Sequence, residues 1–434
     1  MKYFLIKIRY IVIEHMDIIF LIKFLFLLII FLYSLYTIFR WKKIDIFSPL
    51  YIFPLAYILY LYIGSLDALH DKYIISEKQW SFYLIGLVAF YLGCSIPFLN
   101  MKIHKRKREK CEKIWQRNRL IVVLIILFSI AALARFMIYY SSGIPLLSKD
   151  IMSSRLEASE GGYLGEIGNS TEVIFMVAFA GLLLFNKKRF PFVALFLITL
   201  LLSLLTGTRT SLFRQCIPAI VLYHYMVKKI PMKTFVTIVL IGLIFIGSIS
   251  FVRLYREWGE LAIDDLQNEN IKPAFFWLYY VARDFKHGPW GFSHVLEMIP
   301  SKFPYQYGKM HIMPFLFPLP GKQQAPGVAF KEMADLEFKG VGMAATMLGA
   351  QYADFGVLGI ILGMFAVGFL FEYVYLVAER KKHPFYYLVY GVIFVTLALG
   401  IRTNYLNFEI LWMIFLLILI HFAAGRSQLL ELPE

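Results

Sequence analysis

The sequence has few cysteines and lacks the short motifs that accompany nucleotide, metal or serine-hydrolase chemistry. Its three cysteines, Cys94, Cys111 and Cys216, form no CxxC pair, which argues against a disulfide framework and against a zinc site. There is no Walker phosphate loop, no HExxH, no GxSxG and no Asp-x-Asp pair of the kind that holds a metal-bound nucleotide sugar. The sequence therefore predicts no cofactor and no metal.

Charged residues are also scarce, and long apolar runs take their place. Only 17% of the residues are charged, 59% are hydrophobic, and the mean hydropathy is +0.66. The apolar runs have the length of about 17–25 residues that a helix needs to cross a bilayer. A transmembrane β-barrel would show alternating segments of about ten residues instead. The predicted fold class is an all-α polytopic membrane protein.

The distribution of lysine and arginine predicts the orientation in the bilayer. Five short basic loops are placed on the cytoplasmic side, in accordance with the excess of positive charge found there. They are residues 40–43, 102–119, 187–189, 228–233 and 380–382. The formal charge of +15 suits anionic lipid, and no nucleic-acid partner is predicted, because the densest basic run directly adjoins a membrane helix.

This placement gives about eleven membrane helices with the C-terminus inside, or twelve if residues 3–13 also cross. The predicted spans are 17–39, 46–67, 80–99, 120–140, 171–186, 191–206, 211–227, 235–252, 354–378, 384–400 and 408–424. The N-terminus is predicted to be a retained segment rather than a removed signal peptide. The chain is therefore predicted to have three parts. They are N-terminal helices in 1–252 with an outer loop at 141–170, a large outer loop at 253–343, and C-terminal helices in 344–434.

The large outer loop is basic, although basic loops normally lie inside. Within residues 253–340 it carries Arg253, Arg256, Arg283, Lys302, Lys309 and Lys322, together with His287, His294 and His311. A cationic outer loop predicts an anionic partner on that face, and a lipid-linked phosphate is the expected kind.

Three arginines near the predicted outer boundary are candidates for binding that anion. Arg135 lies near the end of a membrane helix, where it either snorkels to the interface or meets an anion. Arg209 lies in the tight turn 206–210 that opens a helix, and Arg214 follows about one turn deeper. The alternative for this turn is a hairpin with a solvated arginine. Arg155 is expected to bind the anion only if its loop, residues 141–170, folds over the site where the other arginines bind it.

A histidine and a glutamate in the large loop are candidates for proton transfer. His294 and Glu297 share one face if this segment is helical, and a carboxylate can orient a histidine to accept a proton. Such a pair is also an ordinary surface motif. Arg283 and Lys322 are further cationic candidates, and Asp354 is a candidate because acidic residues near the membrane are costly. Spaced small residues in 342–368 predict close helix packing.

Four stretches together make the chain resemble an O-antigen polymerase of the Wzy type, in the oligosaccharide repeat-unit polymerase family. They are residues 143–148 with Arg155, the turn 207–209, the proline-rich segment 315–322, and the pattern Thr346-x-x-Gly349-x-x-Tyr352-x-x-Phe355-Gly356-x-x-Gly359. The resemblance extends over roughly residues 46–424. The chain departs from the family pattern where Ala350 and Gln351 replace an acidic residue, at Asp354, and where Gly321 and Lys322 replace an arginine.

The resemblance implies a GT-C-like glycosyltransferase at the outer face of the cytoplasmic (inner) membrane, with the active site facing the periplasm. Such enzymes transfer a glycan from one undecaprenyl diphosphate to a second lipid-linked repeat unit, without metal or nucleotide sugar. Partners are the lipid-linked oligosaccharide, the bilayer, and a flippase and chain-length regulator of the same pathway. The product is O-antigen, capsule or exopolysaccharide.

The predicted roles follow from that reaction. Arg209, Arg214 and Arg283 are predicted to stabilise the leaving diphosphate, and His294, paired with Glu297, to activate the acceptor hydroxyl. The further substrate-binding candidates are Arg135, Arg155, Arg253, Lys322, Tyr352 and Asp354.

Two other functions fit part of the pattern. An O-antigen ligase, which transfers the same donor glycan to a lipid A core, shares the large outer loop and the basic residues. A non-enzymatic flippase or exporter of lipid-linked oligosaccharide would place its charges in a midplane cavity and show internal symmetry. No internal repeat is evident in this sequence, and the charges lie at the outer boundary.

Overall fold

The computed structural model is a bundle of helices with one short sheet. It describes residues 22, 25–33, 36, 45–64, 76–103, 111–148, 154, 162–185, 189–259, 276–316, 319, 324–337, 342–403 and 408–429. The helices are α1 (Pro49–Gly64), α2 (Glu77–Ile103), α3 (Arg117–Ser142), α4 (Tyr163–Leu184), α5 (Phe190–Leu205), α6 (Arg209–Met226), α7 (Met232–Trp258), α8 (Phe276–Met298), α9 (Lys309–Leu316), α10 (Pro326–Met333), α11 (Thr346–Lys381), α12 (Pro384–Gly400) and α13 (Phe408–Ala424). Strands β1 (Cys111–Trp115) and β2 (Gly425–Leu429) pair antiparallel.

Several of these helices have the length and composition of membrane spans. Four described segments meet both criteria: Glu77–Pro97, Arg117–Leu147, Tyr163–Leu184 and Thr346–Lys381. Shorter apolar helices lie at Phe190–Leu205, Met232–Phe245, Pro384–Gly400 and Phe408–Ala424. The multi-pass helical architecture is thus confirmed. The β1–β2 pair adds a small sheet to the predicted all-α fold, and a count of eleven spans stays a prediction, in part because residues 1–21 lie outside the described residues.

The long helices α2 and α11 pack with their backbones in direct contact. A Cβ atom on Gly93 would lie 2.0 Å from the carbonyl oxygen of Phe365, and one on Gly368 would lie 2.1 Å from the carbonyl oxygen of Phe90. Side chains cannot fit at such distances, so each contact requires glycine. Close approach is how membrane helices gain packing energy when the lipid supplies no hydrophobic driving force. The close packing predicted from the small residues of 342–368 is confirmed at Gly368.

Helix α11 bends sharply near its start. Phe355 (φ −139°, ψ 18°) and Gly356 (φ 62°, ψ −142°) leave helical geometry, so residues 346–354 form a short arm before the long helix. A Cβ on Gly359 would lie 1.9 Å from the carbonyl oxygen of Gln351, which shows how tightly the arm folds back. Two glycines of the predicted Gly-rich pattern are thereby explained: Gly356 supplies the bend, and Gly359 accommodates the arm.

Replacing Gly356 by alanine is expected to destabilise this bend. Alanine at this φ and ψ costs about 1–3 kcal/mol, and its Cβ would lie 3.0 Å from the Tyr305 hydroxyl. The purified variant should therefore melt at a lower temperature in detergent than the wild type. Gly242→Ala is the matched control, because Gly242 lies inside α7 and a Cβ added there would have nothing within 4 Å. Equal melting temperatures for Gly356→Ala and the wild type would contradict this account.

One end of the bundle gathers segments that the sequence predicts to be cytoplasmic. The Tyr225 hydroxyl lies 3.1 Å from both carboxylate oxygens of Asp45, and the Tyr375 hydroxyl donates to it at 3.2 Å. Burial opposes ionisation of Asp45, but the nearby His224, the Phe47 amide and Lys229 outweigh it, so the pKa of this carboxyl lies below its usual value. Asp45 is therefore ionised, and its hydrogen bonds with Tyr225 and Tyr375 connect three segments of the chain.

The opposite end gathers segments that the sequence predicts to be outside. Gln79, at the start of α2, donates to the carbonyl oxygen of Pro289 in α8 at 2.8 Å. The Thr346 amide, at the start of α11, donates to the carbonyl oxygen of Arg402 at 3.0 Å. The described part of the predicted large loop is thus largely helical, as α8, α9 and α10, and α8 packs on α1, α7 and α11.

Candidate functional site

A cavity of about 150 Å³ lies among α3, α4, α6, α13 and the turn between α5 and α6. We call it the arginine cavity, because Arg135 and Arg214 both line it. The remaining lining residues are Ile138, Tyr139, Pro145, Gly162, Gly165, Glu166, Asn169, Thr206, Thr208 and Glu409. Residues far apart in sequence therefore meet at the end of the bundle predicted to be outside.

Arg135 enters the cavity from the last two turns of α3. Its side chain is 8% exposed, and its Nη2 donates to Oδ1 of Asn169 at 2.7 Å. Gly168 makes room for it, since a Cβ there would lie 3.1 Å from Cδ of Arg135. Arg135 is therefore buried against α4 beside a neutral amide. The alternative of snorkelling into solvent does not match this burial.

The turn before α6 is held by its own hydroxyl groups. Thr206 donates to the carbonyl oxygen of Ser203 at 2.7 Å, lies 2.8 Å from the Thr208 hydroxyl, and accepts the Thr208 amide at 3.2 Å. Gly207 has φ 62°, which glycine adopts without strain. Helix α6 then begins at Arg209 beside the cavity. The first amides of a helix have no partner within the helix and favour anions.

Arg214 is held by two glutamates. Its Nη2 donates to Oε1 of Glu172 at 3.3 Å, its Nε lies 3.0 Å from Oε2 of the same residue, and its Nη1 contacts Oε2 of Glu409. Glu172 is fully buried, whereas Glu409 is partly exposed. The site is therefore a mixed charge cluster of two arginines and three glutamates when Glu166 is included, in which carboxylates neutralise the charge of Arg214. An anion bound to Arg214 would compete with Glu409.

A comparison with models of protein families identifies the family of this chain. The family model for the O-antigen polysaccharide polymerase Wzy matches residues 2–427, which is nearly the whole chain. The chain belongs to this family. No curated protein and no solved structure matches the chain at a significant level. The resemblance found in the sequence is confirmed, and the protein is a multi-pass membrane protein of polysaccharide biosynthesis.

The structure brings together two of the six arginines that the sequence predicts to act on the substrate. Arg135 and Arg214 line the arginine cavity, while Arg209 is the half-buried first residue of α6 and is not among the residues lining the cavity in the described part of the chain. Arg155 and Lys322 lie outside the described residues. The backbones of Arg253 and Arg283 are helical, but their side chains are outside the described part. Their roles stay predictions.

The predicted pair of His294 and Glu297 lies on α8. Nδ1 of His294 lies 3.6 Å from Oε2 of Glu297, so the expected shared helical face is confirmed. The imidazole also packs edge-on against Trp290, with ring centroids 4.5 Å apart. The glutamate is mostly exposed. Neither residue is among those that line the arginine cavity, and a catalytic role for them stays a prediction.

Asp354 connects the bend of α11 to α9. Its carboxylate is fully buried and accepts the Met310 amide at 3.0 Å and the His311 amide at 3.2 Å, while Nδ1 of His311 lies 2.5 Å away. This is helix capping, in which a carboxylate accepts the first amides of a helix. Tyr352 is also buried, packed against Phe82 and Phe292. Both residues help to form the outer end of the helix bundle. Contact between these residues and the substrate stays a prediction.

Sequence reasoning missed the acidic part of the site. Glu166, Glu172, Glu409 and Asn169 supply most of its polar side chains besides the arginines. A signal was present, since Glu172 opens the apolar run 171–186 and an ionisable residue within a span marks a functional position. Which arginine each glutamate faces depends on how α4, α6 and α13 pack together.

Proposed function

We propose that this protein joins undecaprenyl-diphosphate-linked repeat units into a polysaccharide at the outer face of the cytoplasmic membrane. The family match supports polymerisation in general. One structural observation supports the proposed position of the active site. That observation is the arginine cavity, in which Arg135 is buried beside a neutral amide near the first amides of α6. A buried cation without an acidic hydrogen-bond partner in the described structure suits an anionic substrate group.

The proposed reaction transfers the growing glycan from its lipid diphosphate to the non-reducing sugar of a second lipid-linked unit. As the glycosidic bond to phosphate breaks, negative charge develops on the departing diphosphate. Arg135 and the α6 amides would stabilise that charge, which is often the largest contribution in catalysis. Arg214 would contribute after exchanging Glu409 for a phosphate oxygen. Arg209, Arg253, Arg283 and Lys322 are proposed as further cations around the same substrate.

The orientation is also part of the proposal. The end that holds the arginine cavity faces the periplasm or outside, and the Asp45 end faces the cytoplasm, in agreement with the basic loops. A donor bound through its lipid enters from the bilayer and carries its own diphosphate leaving group, so no nucleotide sugar is needed. The arginines are proposed to take the charge-stabilising role that a metal would otherwise have. A flippase that supplies the donor and a regulator that sets chain length are the proposed partners.

Deleting the gene in its host tests the function. We expect surface polysaccharide limited to single repeat units, visible on a gel, and full chain lengths after complementation with the intact gene. An O-antigen ligase would instead leave uncapped core and accumulate long lipid-linked polymer. Unchanged chain lengths in the deletion strain would contradict both enzymatic functions.

A further inference from the structure

Several buried polar atoms at and below the arginine cavity lack a hydrogen-bond partner among the residues that the structure describes. They are Nε of Arg135, Oε2 of Glu166, Oγ of Ser211 and Oε1 of Gln215. Folded proteins pair the large majority of such atoms, so each one needs an explanation. Unpaired atoms of this kind on side chains that line a cavity indicate a site that a polar ligand or water completes. Arg135 and Glu166 both line the cavity itself.

The three glutamates of the cluster are not equivalent. Glu172 and Glu409 are engaged by Arg214. Glu166 lies in the first turn of α4 and lines the cavity, and its Oε2 has no hydrogen-bond partner among the described residues. A glutamate side chain that lines a polar cavity beside an arginine can turn its carboxylate toward a substrate hydroxyl and accept a hydrogen bond from it.

We propose that Glu166 is the base that accepts the proton of the acceptor sugar hydroxyl, a role that rests on the proposed polymerase function. The acceptor oxygen forms a bond to the anomeric carbon of the donor, while the bond from that carbon to the diphosphate oxygen breaks. The electron pair of the broken bond stays on the lipid diphosphate beside Arg135. The hydroxyl proton passes to the carboxylate of Glu166 and then to solvent through the open side of the cavity.

This assignment replaces His294 as the base. His294 packs on Trp290 in α8 and does not line the cavity in which the diphosphate is proposed to bind. The base and the leaving group must both lie within hydrogen-bonding reach of one reacting sugar pair, so a carboxylate in the arginine cavity fits the geometry better. Glu166 and Arg135 are both lining residues of one cavity of about 150 Å³.

The test is the pH dependence of polymerisation by the purified full-length protein in lipid nanodiscs. The substrate is the lipid-linked repeat unit extracted from the deletion strain. For the wild type we expect the rate to fall at low pH as one carboxylate is protonated. For Glu166→Gln we expect kcat to fall by about 10²–10⁴-fold, the usual contribution of a general base, and the low-pH decline to disappear. KM and the melting temperature should change little.

Matched variants separate catalysis from structure. Glu332→Gln alters an exposed carboxylate on α10 and should keep the wild-type rate and pH profile. Glu166→Asp keeps the carboxylate and should retain the low-pH decline at a reduced rate. The inference is overturned if Glu166→Gln keeps the wild-type rate and pH profile, or if His294→Ala is the variant that removes the decline. If the wild type forms no polymer from the extracted substrate, the proposed function itself has failed.

Discussion

Arg135→Ala is expected to abolish chain elongation while the protein remains folded in the membrane. Removing one preorganised charged donor from a transition state lowers kcat by about 10²–10³-fold. The fold should tolerate this loss better than the loss of Arg214, because Arg135 hydrogen-bonds to the neutral Asn169 and does not form an ion pair like that of Arg214 with the buried Glu172. The measurement is the chain-length distribution on a gel, together with the amount of protein in isolated membranes.

Arg119→Ala is the matched control for this experiment. Arg119 lies on the same helix as Arg135, at its opposite end about 24 Å away, and is exposed. Its replacement should leave chain length unchanged. Arg135→Lys keeps the charge but loses the planar guanidinium that binds phosphate through two hydrogen bonds, so shorter chains are expected. Normal chain lengths in Arg135→Ala would show that the cavity does not hold the leaving group.

The sequence predicts much of this architecture because membrane helices follow local rules. Run length and composition indicate the helices that cross the bilayer, and lysine and arginine orient them. The glycines at positions 356 and 359 can also be explained locally. Gly356 supplies a bend, and Gly359 leaves room for the short arm of the helix that folds back. The helical content of the large loop was harder to foresee, because α8 contains Gly288, Pro289 and Gly291 in its central turns.

The candidate site could be predicted only in part. Arg209 and Arg214 lie on one helix as predicted, but five residues place them about 140° apart around its axis, and only Arg214 lines the cavity. The contacts of Arg214 with Glu172 and Glu409 join α6 to α4 and α13, and neither the pairing nor its distances follow from spacing along the chain. The basic residues of the sequence alone predicted a cationic site for an anion. The structure gives a mixed cluster of arginines and glutamates, in which the local potential depends on carboxylates from distant segments.

Arg214 is expected to matter most for stability. Its removal leaves Glu172, which is fully buried, without its ion-pair partner in the described structure. Breaking a buried ion pair in this way costs about 3–5 kcal/mol. Arg214→Ala should therefore lower the melting temperature in detergent and reduce the amount of protein in the membrane. Loss of polymer in this variant alone would not distinguish catalysis from folding.

A double-mutant cycle separates the two contributions. Glu172→Gln removes the buried charge that Arg214 compensates, so Arg214→Ala/Glu172→Gln should recover much of the stability lost in Arg214→Ala. Contacting residues of this kind couple by about 0.5–3 kcal/mol. If the double variant is stable and still makes no polymer, Arg214 acts on the substrate as well as on the fold. The loss of stability in the double variant is compared with the losses in the two single variants. If it equals their sum, the Glu172–Arg214 ion pair does not contribute the expected stabilising energy.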